Sequence, residues 1–277
     1  MQRRHFLAGA LVPAALGASS GLKVGCQTRS YMAPNRDRAK LTGMLDDIAA
    51  AGYTGVETNY ISVEESFANP APMRGELAGR GLSLIGLHMG IPWEKAELMD
   101  AALDTFHRVV KGTSALGGTH VILSGQAGGE ALKRKCEMLP KMAATCREQG
   151  IHLAIHNHTE EALDNWREFR YILANTGPDV GLLLDAGHAI MARQDPWAFL
   201  REFPGRTAGL HLRDRTPEKP VLMGKGHLNL KGLGQAIRES KWKGWLIVEL
   251  EGYPLDGVSG AEGVREARRM IRAHTGA

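Results

Sequence analysis

The stretch His152-Leu153-Ala154-Ile155-His156-Asn157-His158 places three histidines and an amide at the end of a short apolar run. A β-strand turns successive side chains to opposite faces, so His152, Ala154, His156 and His158 share one side while Leu153 and Ile155 pack against the other. In isolation the same residues fit a polar loop whose histidines are satisfied by neighbours. The rest of the chain repeats the pattern, a buried strand ending in a ligand-type residue, and that repetition decides the fold.

Working outward, short apolar runs alternate with longer amphipathic segments. Strands are expected over Lys23 to Gln27, Gly55 to Thr58, Ser83 to His88, His120 to Ser124, His152 to His156, Val180 to Asp185, Ala208 to Leu212 and Trp245 to Glu249. Helices are expected over Asp37 to Ala51, Ala71 to Arg80, Lys95 to Leu116, Glu130 to Gln149, Asn165 to Asn175, Pro196 to Phe203, Leu230 to Ser240 and Ala261 to Ala273. Glycines follow the helices at Gly52, Gly81, Gly117 and Gly150, where a left-handed residue ends a helix. Strict alternation argues for a parallel sheet with crossover helices, and eight repeats argue for closure. The expected fold is therefore α/β, a single-domain (β/α)₈ TIM barrel over 21–277, with its active site at the C-terminal ends of the strands. An open doubly wound sheet is the rival. The first strand-to-helix turn, Cys26-Gln27-Thr28-Arg29-Ser30-Tyr31, lacks the G-x-G-x-x-G of a dinucleotide site, and Gly224-Lys225-Gly226 lacks phosphate-loop spacing.

The first 20 residues are set apart as an export signal. Arg3-Arg4 with Phe6-Leu7 resembles the twin-arginine pattern, with Gln2 and Ala8 in place of its flanking Ser and Lys. The apolar stretch from Phe6 to Ala18 contains Pro13 and falls short of the roughly 20 residues that span a bilayer, so a cleaved signal is expected rather than a membrane anchor. The expected location is the periplasm, with the twin-arginine translocase as a transient partner. Of the net charge of +4, Arg3 and Arg4 supply two, leaving +2 on the mature chain. That balance gives no reason to expect a nucleic-acid partner. Cys26 falls in a strand, and Cys136 and Cys146 fall about 15 Å apart along one helix, too far to bridge. A homo-oligomer is compatible with the sequence.

The residues ending the strands are Gln27, Glu57, His88, Ser124, His156, Asp185, His211 and Glu249. A carboxylate ending a buried run such as Leu182-Leu183-Leu184-Asp185 or Leu246-Ile247-Val248-Glu249 is costly unless paired or bound to a cation. Each has an ordinary structural role open to it: Asp185 as a helix cap, Glu249 as a partner of Arg213, His211 as a hydrogen-bonded core histidine. Together, on four successive strands, they offer two imidazoles and two carboxylates to one divalent ion, a set that suits Mn, Co, Fe or Zn better than Mg.

Leu153-Ala154-Ile155-His156-Asn157-His158, Leu182-Leu183-Leu184-Asp185-Ala186-Gly187-His188, Leu210-His211-Leu212-Arg213-Asp214, the Gly224-Lys225-Gly226-His227-Leu228 segment and Ile247-Val248-Glu249 resemble the xylose-isomerase-like TIM-barrel superfamily of sugar phosphate isomerases and epimerases. The resemblance implies a carbohydrate substrate and one divalent ion held by His156, Asp185, His211 and Glu249. It also implies that His188 and Arg213 reach the substrate, Arg213 close to developing oxyanion charge. Glu57 and His88 are then pocket walls, and Gln27, Arg29, Trp93 with Glu94, Lys225 and His227 are candidate substrate contacts. Trp93 reads equally well as a packed residue with Glu94 starting a helix.

In the epimerases of that superfamily the fifth strand usually supplies a glutamate, so two carboxylates face opposite sides of the substrate carbon. Here the position is His156, and a metal-bound imidazole keeps only an N–H donor. Glu249, His158 or His188 then carries the proton. The expected activity is metal-dependent proton abstraction next to a carbonyl, as in a sugar isomerase or epimerase. The alternatives are a lyase of the same superfamily acting on a keto-sugar or 3-keto-glycoside, and a sugar-binding barrel without chemistry.

Overall fold

The computed structural model describes residues 21–31 and 37–277; the first 20 residues, where an export signal is expected, lie outside them. Eight parallel strands close into one barrel in sequence order: β1 (Lys23–Gln27), β2 (Gly55–Asn59), β3 (Ser83–Gly90), β4 (His120–Ser124), β5 (His152–His156), β6 (Val180–Asp185), β7 (Thr207–Leu212) and β8 (Trp245–Val248). Helices α1 (Arg38–Ala50), α2 (Ala71–Gly79), α3 (Met99–Ala115), α4 (Gly129–Glu148) and α5 (Thr159–Asn175) connect the first six strands. Two short helices, α6 (Ala186–Met191) and α7 (Pro196–Glu202), follow β6; α8 (Leu230–Ser240) follows β7, and α9 (Gly260–Thr275) follows β8.

The alternation of each strand divides the core in two. Leu153, Ile155, Leu182, Leu184, Leu246 and Val248 belong to the large layer between barrel and helices. Their neighbours Ala154, Leu183 and Ile247 join Ile85 and Ile122 in a small separate core. Ala154 and His156, Leu183 and Asp185, Ile247 and Glu249 are each two residues apart on one face, so this inner core lies directly beneath the polar strand ends. Close approach requires glycine here: a Cβ on Gly25 would sit 2.2 Å from Ile85 Cδ1, and one on Gly55 would sit 2.6 Å from the Trp245 ring.

Four differences from expectation bear on the site. β3 runs on to Gly90, and β8 stops at Val248, leaving Glu249 just beyond its end. The extra helix α6 starts on Asp185, whose side chain caps it by accepting the His188 N–H at 2.7 Å. α5 starts earlier because His158 and Glu161 form a capping box, the Glu161 carboxylate accepting the His158 N–H at 2.9 Å. It leaves helical geometry over Leu163 to Trp166 before resuming. All three cysteines are buried, and none forms a disulfide among the described residues. Among the described residues no helix is long and apolar enough to cross a membrane.

Candidate active site

The ends of β5 to β8 bring His156, Asp185, His211 and Glu249 together, with one donor atom from each within 4.8 Å of the others. His156 Nε2 lies 3.4 Å from Asp185 Oδ2 and 3.9 Å from Glu249 Oε2; His211 Nδ1 lies 2.9 Å from Glu249 Oε2 and 3.8 Å from Asp185 Oδ2. Both ring nitrogens of His156, Nδ1 of His211, Asp185 Oδ2 and Glu249 Oε2 are buried and take no hydrogen bond. Converging buried polar atoms without hydrogen bonds are expensive unless a cation satisfies them. The two nitrogens and two carboxylate oxygens therefore fit a divalent transition ion.

The partners of these residues settle their charge. Burial pushes the Asp185 carboxyl up, but the Arg213 guanidinium, followed by His188 and His156, holds it well below the usual carboxylate range. Glu249 is likewise lowered against its burial, chiefly by His211 and Arg213. Burial brings His156 down to about 3 and His188 to about 4, and it lowers His158 too, so all three imidazoles are neutral at pH 7. Burial also opposes charge on His211, yet Glu57 and then Glu249 raise it to about 10.

Glu57 has more than a wall's role. Its carboxylate is fully buried and accepts two imidazoles, His211 Nε2 at 2.8 Å and His88 Nδ1 at 3.2 Å. The first bond fixes the His211 tautomer and turns Nδ1 toward Asp185 and Glu249. Asn157 does the same for Asp185 by hydrogen-bonding its backbone. Arg213 Nη2 lies 2.9 Å from Asp185 Oδ2, and its Nη1 donates to Glu251 at 3.3 Å, which also accepts Arg215 at 3.2 Å.

Above these residues opens a cavity of about 460 Å³ whose wall includes Gln27, Arg29, His88, His156, His158, His188, Arg213 and Glu249. Asp185 and His211 lie fully buried next to it. The strand-end Ser124 also reaches its wall, together with Glu251 and Asn59, which the sequence does not single out. His158 follows β5 with its ring centroid 5.1 Å from His156 and 4.9 Å from His188. His152 is exposed at the other end of β5, its ring beside His120 at 5.4 Å.

Four expected substrate contacts are elsewhere. Trp93 is packed: it is 1% exposed, with Lys135 Nζ 5.6 Å from its ring. Glu94 accepts the Gly128 N–H at 2.7 Å instead of starting a helix. Lys225 and His227 are exposed on a loop gathered around Asp214, whose carboxylate accepts the N–H groups of Gly224, Gly226 and Leu228 at 2.7, 3.0 and 2.9 Å. That loop carries His227 to a separate small cavity beside Asp195 and Trp197.

This barrel, with ligand-type residues at its strand ends, defines a class, and the chain belongs to the xylose isomerase-like TIM barrel family, whose model matches residues 45–274. An inosose dehydratase of Lacticaseibacillus casei is 26% identical over 136 residues, 42% of this chain and 46% of that protein, so this match spans about half its length. An inosose dehydratase of Erwinia tasmaniensis is 24% identical over 272 residues, 84% of this chain and 89% of that protein. Among solved structures, an L-ribulose 3-epimerase superposes with a TM-score of 0.79 at 17% identity, covering 92% of this chain and 95% of the other. The IolI protein with a bound zinc atom gives 0.74 at 15% identity, covering 92% and 98%. At such identities the structural likeness is one of fold.

Proposed function

We propose that this chain is a divalent-metal-dependent lyase of carbohydrate chemistry: it removes the proton next to the carbonyl of a polyhydroxylated ketone and expels the hydroxyl one carbon further as water. The observation that carries this reading is the asymmetry of the cavity. β8 supplies the one carboxylate of the converging set that reaches the cavity wall, Glu249, while β3, β5 and β6 lead to His88, His156, His158 and His188. Inverting a stereocentre calls for a proton acceptor on each side of the carbon. Where a second carboxylate would stand, His156 is a buried imidazole brought down to about 3.

His156, Asp185, His211 and Glu249 would hold a divalent ion, which would supply Lewis-acid chemistry that lowers the cost of the enediolate. Arg213 sits at the rim of that group with its charge stabilised by Asp185, Glu249 and Glu251 against burial, ready to meet oxyanion charge. The imidazoles of His158 and His188 line the cavity, where they are placed to orient substrate hydroxyls. Arg213 is already matched by acids, and Asp37, Glu249 and Glu251 line the same cavity, so an unphosphorylated substrate suits it better than a phosphate ester. The kinship with inosose dehydratases supports elimination. The paired arginines of the first residues favour a periplasmic setting, where such substrates are met unphosphorylated.

A second reading, isomerisation or epimerisation, shares the first step and differs in returning the proton to carbon; the 0.79 superposition on an L-ribulose 3-epimerase keeps it in view. Manganese- or zinc-loaded protein incubated with an inosose and with 3-keto-glucosides in D₂O separates the readings. Exchange next to the carbonyl with loss of one water supports the lyase. Exchange with rearrangement and no loss of mass supports the isomerase or epimerase, and binding without exchange leaves a sugar-binding barrel.

A further inference from the structure

We infer that His88, oriented by Glu57, is the group that takes the proton from the substrate carbon and hands it to the departing hydroxyl. This rests on the lyase reading above. Four imidazoles line the cavity, and their surroundings differ. His156 belongs to the converging metal-binding set. His188 bonds through Nδ1 to a hydroxyl, Thr159 Oγ1, at 3.0 Å. His158 caps α5 through its backbone. His88 alone among the four has its ring bonded to a buried carboxylate outside the metal set, Glu57, at 3.2 Å; the buried Glu161 bonds the backbone N–H of His158 instead.

That partnership has two consequences. The carboxylate accepts the proton on Nδ1, so the lone pair of the neutral ring is on Nε2. Nδ1 is the nitrogen committed to protein; Nε2 takes no protein hydrogen bond and is not sealed from solvent, on a side chain 11% exposed on the cavity wall. When Nε2 takes up a proton, the positive charge that forms lies against Glu57, which stabilises it as the carboxylate of a carboxylate–histidine dyad does.

His88 is also close to the reacting centre: its ring centroid lies 5.1 Å from that of His156 and 6.3 Å from that of His211. It comes from β3, two strands from the β5 end that carries His156, while Glu249 is committed to the metal-binding set. In the step proposed, His88 Nε2 takes the proton from the carbon next to the carbonyl and the C–H electron pair becomes the enediolate double bond. The C–O bond to the neighbouring hydroxyl then breaks, and the same proton passes from His88 to the leaving oxygen. One water departs, a C=C bond is formed, and His88 ends neutral with no outside oxidant or reductant.

The test follows deuterium exchange and product formation in D₂O with metal-loaded wild type, His88→Asn and His88→Gln, recording metal content and melting temperature alongside. Asn keeps a donor near the Nδ1 position for Glu57 and leaves nothing at Nε2; Gln places an amide near Nε2 that cannot take the proton. Both variants are expected to lose about 100-fold or more in kcat and in exchange, with metal content retained and KM changed by less than about threefold. Added imidazole should restore part of the exchange in His88→Gly. A kcat within about threefold of wild type, a loss confined to KM, or a loss matched by lost metal overturns the assignment. If the wild type forms no dehydrated product, the lyase reading fails first and takes this one with it. If His88→Asn does not fold, His88→Gln is read in its place.

Discussion

Asn157 grips the backbone of Asp185 at both ends: its Oδ1 accepts the Asp185 N–H at 2.8 Å and its Nδ2 donates to the Asp185 carbonyl at 3.3 Å. Asn157 is fully buried and aligns the sixth-strand carboxylate from the neighbouring strand end. Asn157→Ala leaves both backbone groups unpaired, so metal affinity should fall about 10- to 100-fold while the barrel persists. Competition with a chromophoric chelator measures this; unchanged affinity would show that the strand ends hold Asp185 without it.

Uptake of the ion should release a proton. His211, raised to about 10 by Glu57 and Glu249, carries a proton at pH 7 that must leave before Nδ1 can bind a cation. Apparent affinity should therefore rise about tenfold per pH unit from neutrality toward pH 10, and the calorimetric enthalpy should vary with buffer ionisation heat at about one proton per ion. Asp185→Asn keeps a cap oxygen for α6 but removes the charge, and metal content should drop well below one per chain.

At the opposite end of the barrel His120, beside His152, gives a pH-dependent contribution to stability. Burial, helped by His152, lowers His120 from 6.5 to about 4. Above pH 6.5 both folded and unfolded states leave it neutral and its contribution is complete. Between 6.5 and 4 the unfolded chain binds a proton that the fold refuses, so stability falls as pH falls, by at most about 3 kcal/mol, and no further below 4. Urea unfolding of wild type and His120→Asn across that range should differ in slope; parallel curves would refute it.

Lys135 is fully buried, with Nζ 2.5 Å from Glu168 and 2.7 Å from the Gly125 carbonyl in the loop after β4. Removing one partner strands the other charge, so Glu168→Gln should cost about 3–5 kcal/mol, and Lys135→Met with Glu168→Leu should recover much of it. Denaturant midpoints of the single and double variants decide the point.

Gly187 leaves room for Arg213, since a Cβ there would lie 2.5 Å from Arg213 Cγ. Gly187→Ala should displace the guanidinium from Asp185 and lower kcat about tenfold or more with metal content retained. An unchanged kcat would remove Arg213 from the chemistry.

The barrel was legible because its evidence is local: alternation within each strand, glycine after each of the first four helices, and a polar residue where each apolar run stops. His156, Asp185, His211 and Glu249 could be grouped for the same reason, each standing at a strand end. Glu57 ends a strand too, but its bond to His211 crosses 154 residues and exists only once the barrel closes, so the sequence suggested no more than a wall. Trp93, Lys225 and His227 misled because position after a strand does not fix direction. Ile91 turns the chain away beyond Gly90, and Asp214, in a segment noted for His211 and Arg213, spends its oxygens on the loop that carries Lys225 and His227 outward.

The small inner core of Ile85, Ile122, Ala154, Leu183 and Ile247 stoppers the barrel beneath the active-site cavity. The cavity is consequently a cul-de-sac, and whatever leaves must depart by the doorway through which its successor enters. Product and substrate then exclude one another at the threshold, so the product should inhibit competitively and traffic through that single entrance can cap the turnover rate.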